Sequence, residues 1–420
     1  MHPIPKIHPA REIDIIGYET IMLDSGIPCY GFNGVPYDII NIDFCFDSGR
    51  WTETKPLTAS FYSKMFKSGT EKTNAEQLSE NIDFWGGTIK ISQGYNSITV
   101  SVYSILRNLE PVLQILQEIL LESKFAQEKL DFKKEKSLNR LKVNSRKTEF
   151  LADEAFKKMI YGDSHPYGYT IKKEDIENLK RNDVIQYFKN NISSNNLKIY
   201  VSGKYDKPEI KLIDKYFPLS VFSDPVDTIY KHQSQPEANK KFHLTIPQAE
   251  QASLIIGKEL AVPRDSTFYD FSVLNTILGG YFGSRLMKNI REDKGYTYGI
   301  HSEILNYKHS SAWCISTEVG LEYIEPCKEE IYKEILRLKN EKIDSQELDR
   351  VRNYLMGKML RYFDGPFNTK NVYKIFWNTN REIEHLSYLI NSIKTVTSER
   401  LLELANNFFN EESFYEVLVD

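Results

Sequence analysis

Residues 180–203 read KRNDVIQYFKNNISSNNLKIYVSG, and residues 397–420 read TSERLLELANNFFNEESFYEVLVD. Each opens with apolar residues spaced for one face of a helix, passes through a polar turn, and ends in a short alternating run. The period changes from 3.6 to 2 at the same place in both, so one helix–turn–strand unit is used twice. A second pair lies at nearly the same offset. EPVLQILQEILLES starts at Glu110 and EPCKEEIYKEILRLKN at Glu325, each amphipathic with Pro in its opening, where a missing N–H is not needed. Charge-laced helical stretches follow both, FAQEKLDFKKEKSLNRLKV and SQELDRVRNYLMGKML. Two anchors repeated at roughly 210 residues imply a duplicated domain.

Between the halves, PLSVFSDPVDTIYKHQSQPEANKK has Pro, Ser and few periodic apolar positions, the composition of a linker. New strands, KFHLTIP and ASLIIGKELAV, then begin the second half. Strands and helices are grouped within each half. The expected fold is therefore α+β: two homologous halves, each a mostly antiparallel sheet with helices packed on one side. Residues 1–217 form the first domain, 218–237 the linker and 238–420 the second domain.

Composition narrows the function classes. The 420 residues carry a formal net charge of −4 with acids and bases interspersed, so no basic stripe points to nucleic acid or a membrane surface. The opening MHPIPKIHPAREID has three prolines and no apolar core, unlike a signal peptide. No run approaches the ~18 apolar residues of a spanning helix. Four cysteines, Cys29, Cys45, Cys314 and Cys327, lack CxxC spacing. That favours reduced thiols and a cytoplasmic protein.

Chemistry-bearing residues gather at SFYSKMFKSGT, residues 60–70. The preceding Pro56 is expected to start a helix and Gly69 to end it. Leu57, Phe61, Tyr62, Met65 and Phe66 fill one side of the wheel. Ser60, Ser63 and Lys64 fall opposite, an arrangement normal for a solvated face. A serine–lysine hydrolase is the sharper alternative, with a desolvated Lys as base, but no glycine-rich oxyanion loop accompanies it. The next helix starts with Thr73 and Glu76 at capping-box spacing. TIKISQGYNSITVSVYSI reads as a hairpin that could add a substrate strand or simply belong to the sheet. Gly279, Gly280 and Gly283 lack a following GK[ST] and read as a tight helix entry, not a phosphate loop.

In this order of elements the chain resembles the pitrilysin/insulinase family of zinc metallopeptidases. The family's active helix carries HxxEH followed by Met, an aromatic residue and Gly-Thr. Met65, Phe66, Gly69 and Thr70 match that tail. Ser60 and Lys64 stand at the two histidine positions and Ser63 at the glutamate position. Arg140 is the best match to the third ligand, a Glu on the long helix downstream. In LGGYFGSRLMKNIREDKGYTYGIHSEI, Arg291 and Tyr298 fall on the Arg–Tyr pair that contacts substrate across the cavity from zinc. Tyr296 and His301 are near enough to contribute.

The departures decide what the resemblance implies. Zinc takes three or four N, S or O ligands, whereas Lys64 and Arg140 are cations and Ser60 is a poor neutral ligand. Ser63 cannot replace a glutamate base. The eight histidines are scattered without another HxxEH or HxxxH. The chain is thus expected to bind no metal or other cofactor itself. It resembles the zinc-free subunit of a heterodimeric peptidase, whose HxxEH-bearing homologous partner would hold zinc and act on peptides. The alternative is a structural or peptide-binding homologue with no peptidase activity anywhere in its assembly.

Overall fold

The computed structural model describes residues 13, 15–222, 230–260 and 265–420. The expected linker falls partly outside these, at 223–229, as does most of the opening segment. Six strands form the first sheet: β1 (Glu19–Ile21), β2 (Cys29–Asn33), β3 (Ile39–Phe46), β4 (Thr88–Gln93), β5 (Ile98–Ile105) and β6 (Leu197–Gly203), in the order β1-β2-β6-β3-β5-β4. Only β2 and β6 run parallel. The second sheet holds β7 (Lys241–Leu244), β8 (Gln251–Glu259), β9 (Thr297–Asn306), β10 (Ser311–Gly320) and β11 (Tyr415–Val419), ordered β7-β11-β8-β10-β9. Here β7 and β11 are the parallel pair. In both sheets the strand after the long helical excursion is internal, paired parallel on one side and antiparallel on the other.

The first half's helices are α1 (Thr58–Met65), α2 (Ala75–Phe84), α3 (Leu109–Glu122), α4 (Gln127–Asn144), α5 (Thr148–Tyr161), α6 (Lys173–Glu177), α7 (Arg181–Asn191) and α8 (Lys207–Tyr216). The second half's are α9 (Ser266–Gly279), α10 (Ile324–Asn340), α11 (Ser345–Tyr362), α12 (Gly365–Asn378), α13 (Glu384–Thr395) and α14 (Ser398–Phe408). The repeated sequence units become α7 with β6 and α14 with β11.

Each half covers one face of its own sheet, as the pattern predicts, and sends one helix across to the other sheet. Helix α5 lies on β8 and β11, where Phe156, Met159 and Ile160 pack with Ile255, Cys314 and Val417. Gly257 permits that approach: a Cβ there would stand 2.7 Å from the Phe156 ring and 2.2 Å from the Trp313 carbonyl oxygen. In the same way α12 crosses β2 and β6, where Val372, Tyr373 and Phe376 join Phe32 and Tyr200 in one core. Covering both faces explains why β3, IINIDFCF, is buried after its first residue and does not alternate.

Two local expectations are corrected. Helix α1 begins at Thr58, not Pro56, because Leu57 takes a left-handed φ of 71°. The Glu53 carboxylate accepts from the backbone N–H of Leu57 (3.2 Å) and of Ala59 (2.8 Å), capping the helix from outside its own turn. The capping box of α2 is formed by Asn74 and Gln77, one residue beyond Thr73 and Glu76.

Three histidines from distant segments meet on one indole. His309, in the β9–β10 turn, stacks on Trp51 with centroids 4.0 Å apart. His232 meets the ring edge-on at 4.7 Å, its Nε2 2.9 Å from the Trp51 carbonyl oxygen. His165 lies 5.5 Å from Trp51 and accepts at Nδ1 from the Tyr167 N–H. Burial, then His232 and His309, hold the His165 imidazole down at about 4. Above about 6.5 this ring is neutral folded or unfolded. Between that value and about 4 the unfolded chain binds the extra proton, so stability falls as pH falls. Denaturation midpoints at pH 7 and 4.5 are expected to show this loss, and His165→Gln to flatten the slope. An unchanged slope would show that His165 contributes none of it.

Candidate functional site

Helix α1 is held between α4 and α7, with β4 beside it. Its apolar side is buried as the wheel predicts: Phe61, Tyr62, Met65 and Phe66 are all inside. Ser60 and Ser63 are half-buried and Lys64 lies at the surface. The Lys64 Nζ donates to Ser137 Oγ of α4 at 3.0 Å and sits 4.5 Å from the Phe61 ring centre. Burial, then Arg140 and Lys133, push the Lys64 pKa down. Lys64 and Arg140 therefore share one electrostatic neighbourhood. The ammonium bonds to Ser137, not to Ser60 or Ser63, which removes the contact on which the serine–lysine alternative depended.

The residues at these positions do not fit zinc. Two hydroxyls, an ammonium and a guanidinium offer no anionic ligand, and the cations repel a divalent ion. Among the described residues no group of three or more His, Cys, Asp or Glu could hold a metal ion.

Ser60 turns into a cavity of about 220 Å³ lined also by Arg50, Glu53, Gln93, Gly94 and Tyr95. Sequence reasoning missed this group. The Arg50 guanidinium lies 4.6 Å from the Tyr169 ring centre and 5.7 Å from that of Tyr95, and it donates to the Tyr169 carbonyl. Burial pushes Glu53 up to about 7 against the pull of its N–H donors and Arg50. Glu154, on α5, is also pushed up to about 7, by burial and then Asp153. The proximity of Glu53 to Pro56 was the one available signal for its capping role. Glu154 is far in sequence and gave none.

In the second half, Arg285 binds Glu347 through Nε (2.9 Å) and Nη2 (2.8 Å), a two-bond clasp to α11. It anchors the start of a π-helical turn, Met287–Asp293, that carries Arg291. Such turns are rare and frequent at functional sites. The Arg291 guanidinium lies 4.8 Å from the ring centre of exposed Phe282. Tyr298 is the second residue of β9, an edge strand, and is 86% exposed. It lines a polar cavity of about 360 Å³ with Glu149, Gln251, Ser253, His301 and Glu318. Arg291 does not line that cavity. Tyr296 stacks on Tyr323 at 4.9 Å and serves packing. Gly279 allows close approach to Ser302, 2.6 Å from its would-be Cβ, in keeping with a packing role for the glycines.

A duplicated α+β chain with cross-covering helices and this α1–α4 pairing has the fold of the insulinase-type peptidases. Residues 36–167 match insulinase (peptidase family M16), and residues 178–355 match the peptidase M16 inactive domain. The chain belongs to peptidase family M16 and has no HxxEH in its sequence. It is 26% identical to an uncharacterized zinc protease, YmxG, of Bacillus subtilis, over 84% of this chain and 85% of that protein. It is 21% identical to the non-peptidase homolog YmxG of Helicobacter pylori, over 71% and 69%. The peptidase M16 inactive domain structure from Pseudomonas fluorescens superposes with a TM-score of 0.84 at 19% identity, over 96% and 98%. Among the described residues no helix is long and apolar enough to cross a membrane.

Proposed function

We propose that this chain is the zinc-free subunit of a cytoplasmic, heterodimeric M16 peptidase. Its partner is a homologous chain bearing HxxEH and zinc, and the substrates are unfolded peptides. In the assembly, Arg291 places positive charge near the scissile carbonyl and Tyr298 offers a hydroxyl donor to the developing oxyanion. One observation carries this reading above the rest. Tyr298 is a large aromatic on an edge strand, almost wholly exposed and standing at a polar cavity. Packing within the chain does not account for it.

Ser60, Ser63, Lys64 and Arg140 occupy the degenerate metal positions and supply no catalytic group. The test is reconstitution. The isolated chain is expected to cleave no peptide, and adding the HxxEH homologue to give chelator-sensitive cleavage faster than the homologue alone. Failure of any such homologue to bind the chain or gain activity would favour a structural role.

A further inference from the structure

The duplication exposes one difference between the outer edges of the two sheets. The helix–strand repeat sets Tyr200 and Ser202 of β6 where β11 has Val417 and Val419. Their parallel neighbours therefore correspond: Tyr30 and Phe32 on β2, Phe242 and Leu244 on β7. In the first half this pair is covered. Strand β1 closes the edge of β2. Tyr18, just before β1, packs on Tyr30 and Phe32 and on Tyr373 and Trp377 of the crossing helix α12. Ile13 and Ile15 pack against the same core. In the second half no strand among the described residues takes the place of β1, and β7 is the outer edge. Phe242 and Leu244 are 36% and 38% exposed, whereas Phe32 is 0% exposed.

The space left open is a cavity of about 400 Å³, lined by Phe242 and Leu244 from β7 and by Leu151, Ala155 and Met159 from the crossing helix α5. The three α5 residues follow at i, i+4 and i+8 and so present one helix face. Lys158 and Lys241 stand at the rim. Lys172 there pairs with Asp163 at 3.0 Å. Of the other rim acids, Glu237 and Glu154, the second is pushed up to about 7 by burial and then Asp153. The segment that fills the first-half slot, IDIIGYETI at residues 13–21, carries two carboxylates and no cation. A segment of that kind suits the two lysines in charge and the trough in shape. We infer that the α5–β7 trough docks an extended acidic segment of another protein, which pairs with β7 through main-chain hydrogen bonds and seats an aromatic side chain beside Leu244, as Tyr18 sits beside Phe32. Residues 18–21 of this chain are already engaged in the first half, so the segment comes from a second polypeptide. The trough shares no lining residue with the cavity at Tyr298, and the inference does not depend on the peptidase reading.

The test uses the isolated full-length chain and a synthetic, fluorescein-labelled IDIIGYETI peptide as probe. Fluorescence anisotropy is expected to show saturable binding, weakened at least about tenfold in a peptide carrying Tyr18→Ser. In the protein, Ala155→Trp fills the trough and is expected to abolish binding with an unchanged thermal melt. If that variant fails to fold, Leu244→Asp, at the surface, is expected to weaken binding about tenfold. Hydrogen exchange read by mass spectrometry is expected to slow at residues 240–246 when the peptide is bound. Slowing at residues 18–33 instead would mean that the peptide displaces β1 from the first sheet, and would overturn the inference. So would the absence of saturable binding, equal binding of the two peptides, or binding that survives both protein substitutions. A chain that dimerises alone in sedimentation velocity, and becomes monomeric on Ala155→Trp, would give the trough to a second copy and overturn it as well. None of these readouts uses cleavage, so each outcome leaves the heterodimer test untouched.

Discussion

Replacing Asp43 by Ala is expected to destabilise the chain by about 3–5 kcal/mol, measured by chemical denaturation at pH 7. Asp43 is 2% exposed, on β3 beneath the crossing helix α12. Lys370, 1% exposed, approaches its Oδ2 at 2.7 Å, and Lys374 bonds to the same oxygen. Lys370 also donates to Asn41. Removing the carboxylate leaves two buried ammonium groups facing each other, which costs far more than the ion pair contributed. Asp43→Asn keeps the shape and should cost nearly as much. A triple change of Asp43, Lys370 and Lys374 to apolar residues should recover much of the loss, because no unpaired charge then remains. A loss under 1 kcal/mol in Asp43→Ala would show that α12 is not held by this cluster. Burial alone would raise the Asp43 carboxyl, but the two lysines hold it at about 2. Its contribution is therefore complete above about 4 and is lost as pH falls from there toward 2.

In the reconstituted complex, Arg291→Ala with Tyr298→Phe is expected to lower kcat by about 10²–10³ with zinc content and assembly unchanged. The expectation separates chemistry from folding. Tyr298 is 86% exposed, and losing an exposed hydroxyl shifts stability by no more than about 0.5 kcal/mol. Arg291 meets Phe282 at the surface, a contact worth about 0.5–1 kcal/mol. A fall in turnover with a normal melt and normal complex formation therefore reports a role at the scissile bond. Turnover within a factor of two of the unsubstituted complex would remove both residues from the mechanism.

How far the sequence carried this account depends on the range of the interactions involved. The duplication was legible because α7–β6 and α14–β11 are local units whose periodicity is written into adjacent residues. The α1 wheel was legible for the same reason, and Phe61, Tyr62 and Met65 are buried as it required. The α1 start was missed because a carboxylate outside the helix, Glu53, holds its first N–H groups and lets Leu57 turn left-handed. The crossing of α5 and α12 was not legible either. Both have an apolar face, and nothing in such a face names the sheet it will cover. Nothing local in the sequence joins Lys370 and Lys374 to Asp43, because both lysines lie more than three hundred positions from it. The family resemblance singled out Ser60, Ser63, Lys64 and Arg140. Only the fold revealed that Lys64 turns to Ser137, and that Arg50, Glu53 and Tyr95 line the space beside Ser60.

The metal content of the isolated chain tests the account most directly. The chain would be purified without any homologue, equilibrated with zinc, desalted and assayed by inductively coupled plasma mass spectrometry. Far less than one zinc per chain is expected, with no change on Lys64→Gln. One tightly held zinc per chain, lost when α1 or α4 is altered at Ser60, Lys64 or Arg140, would contradict the account.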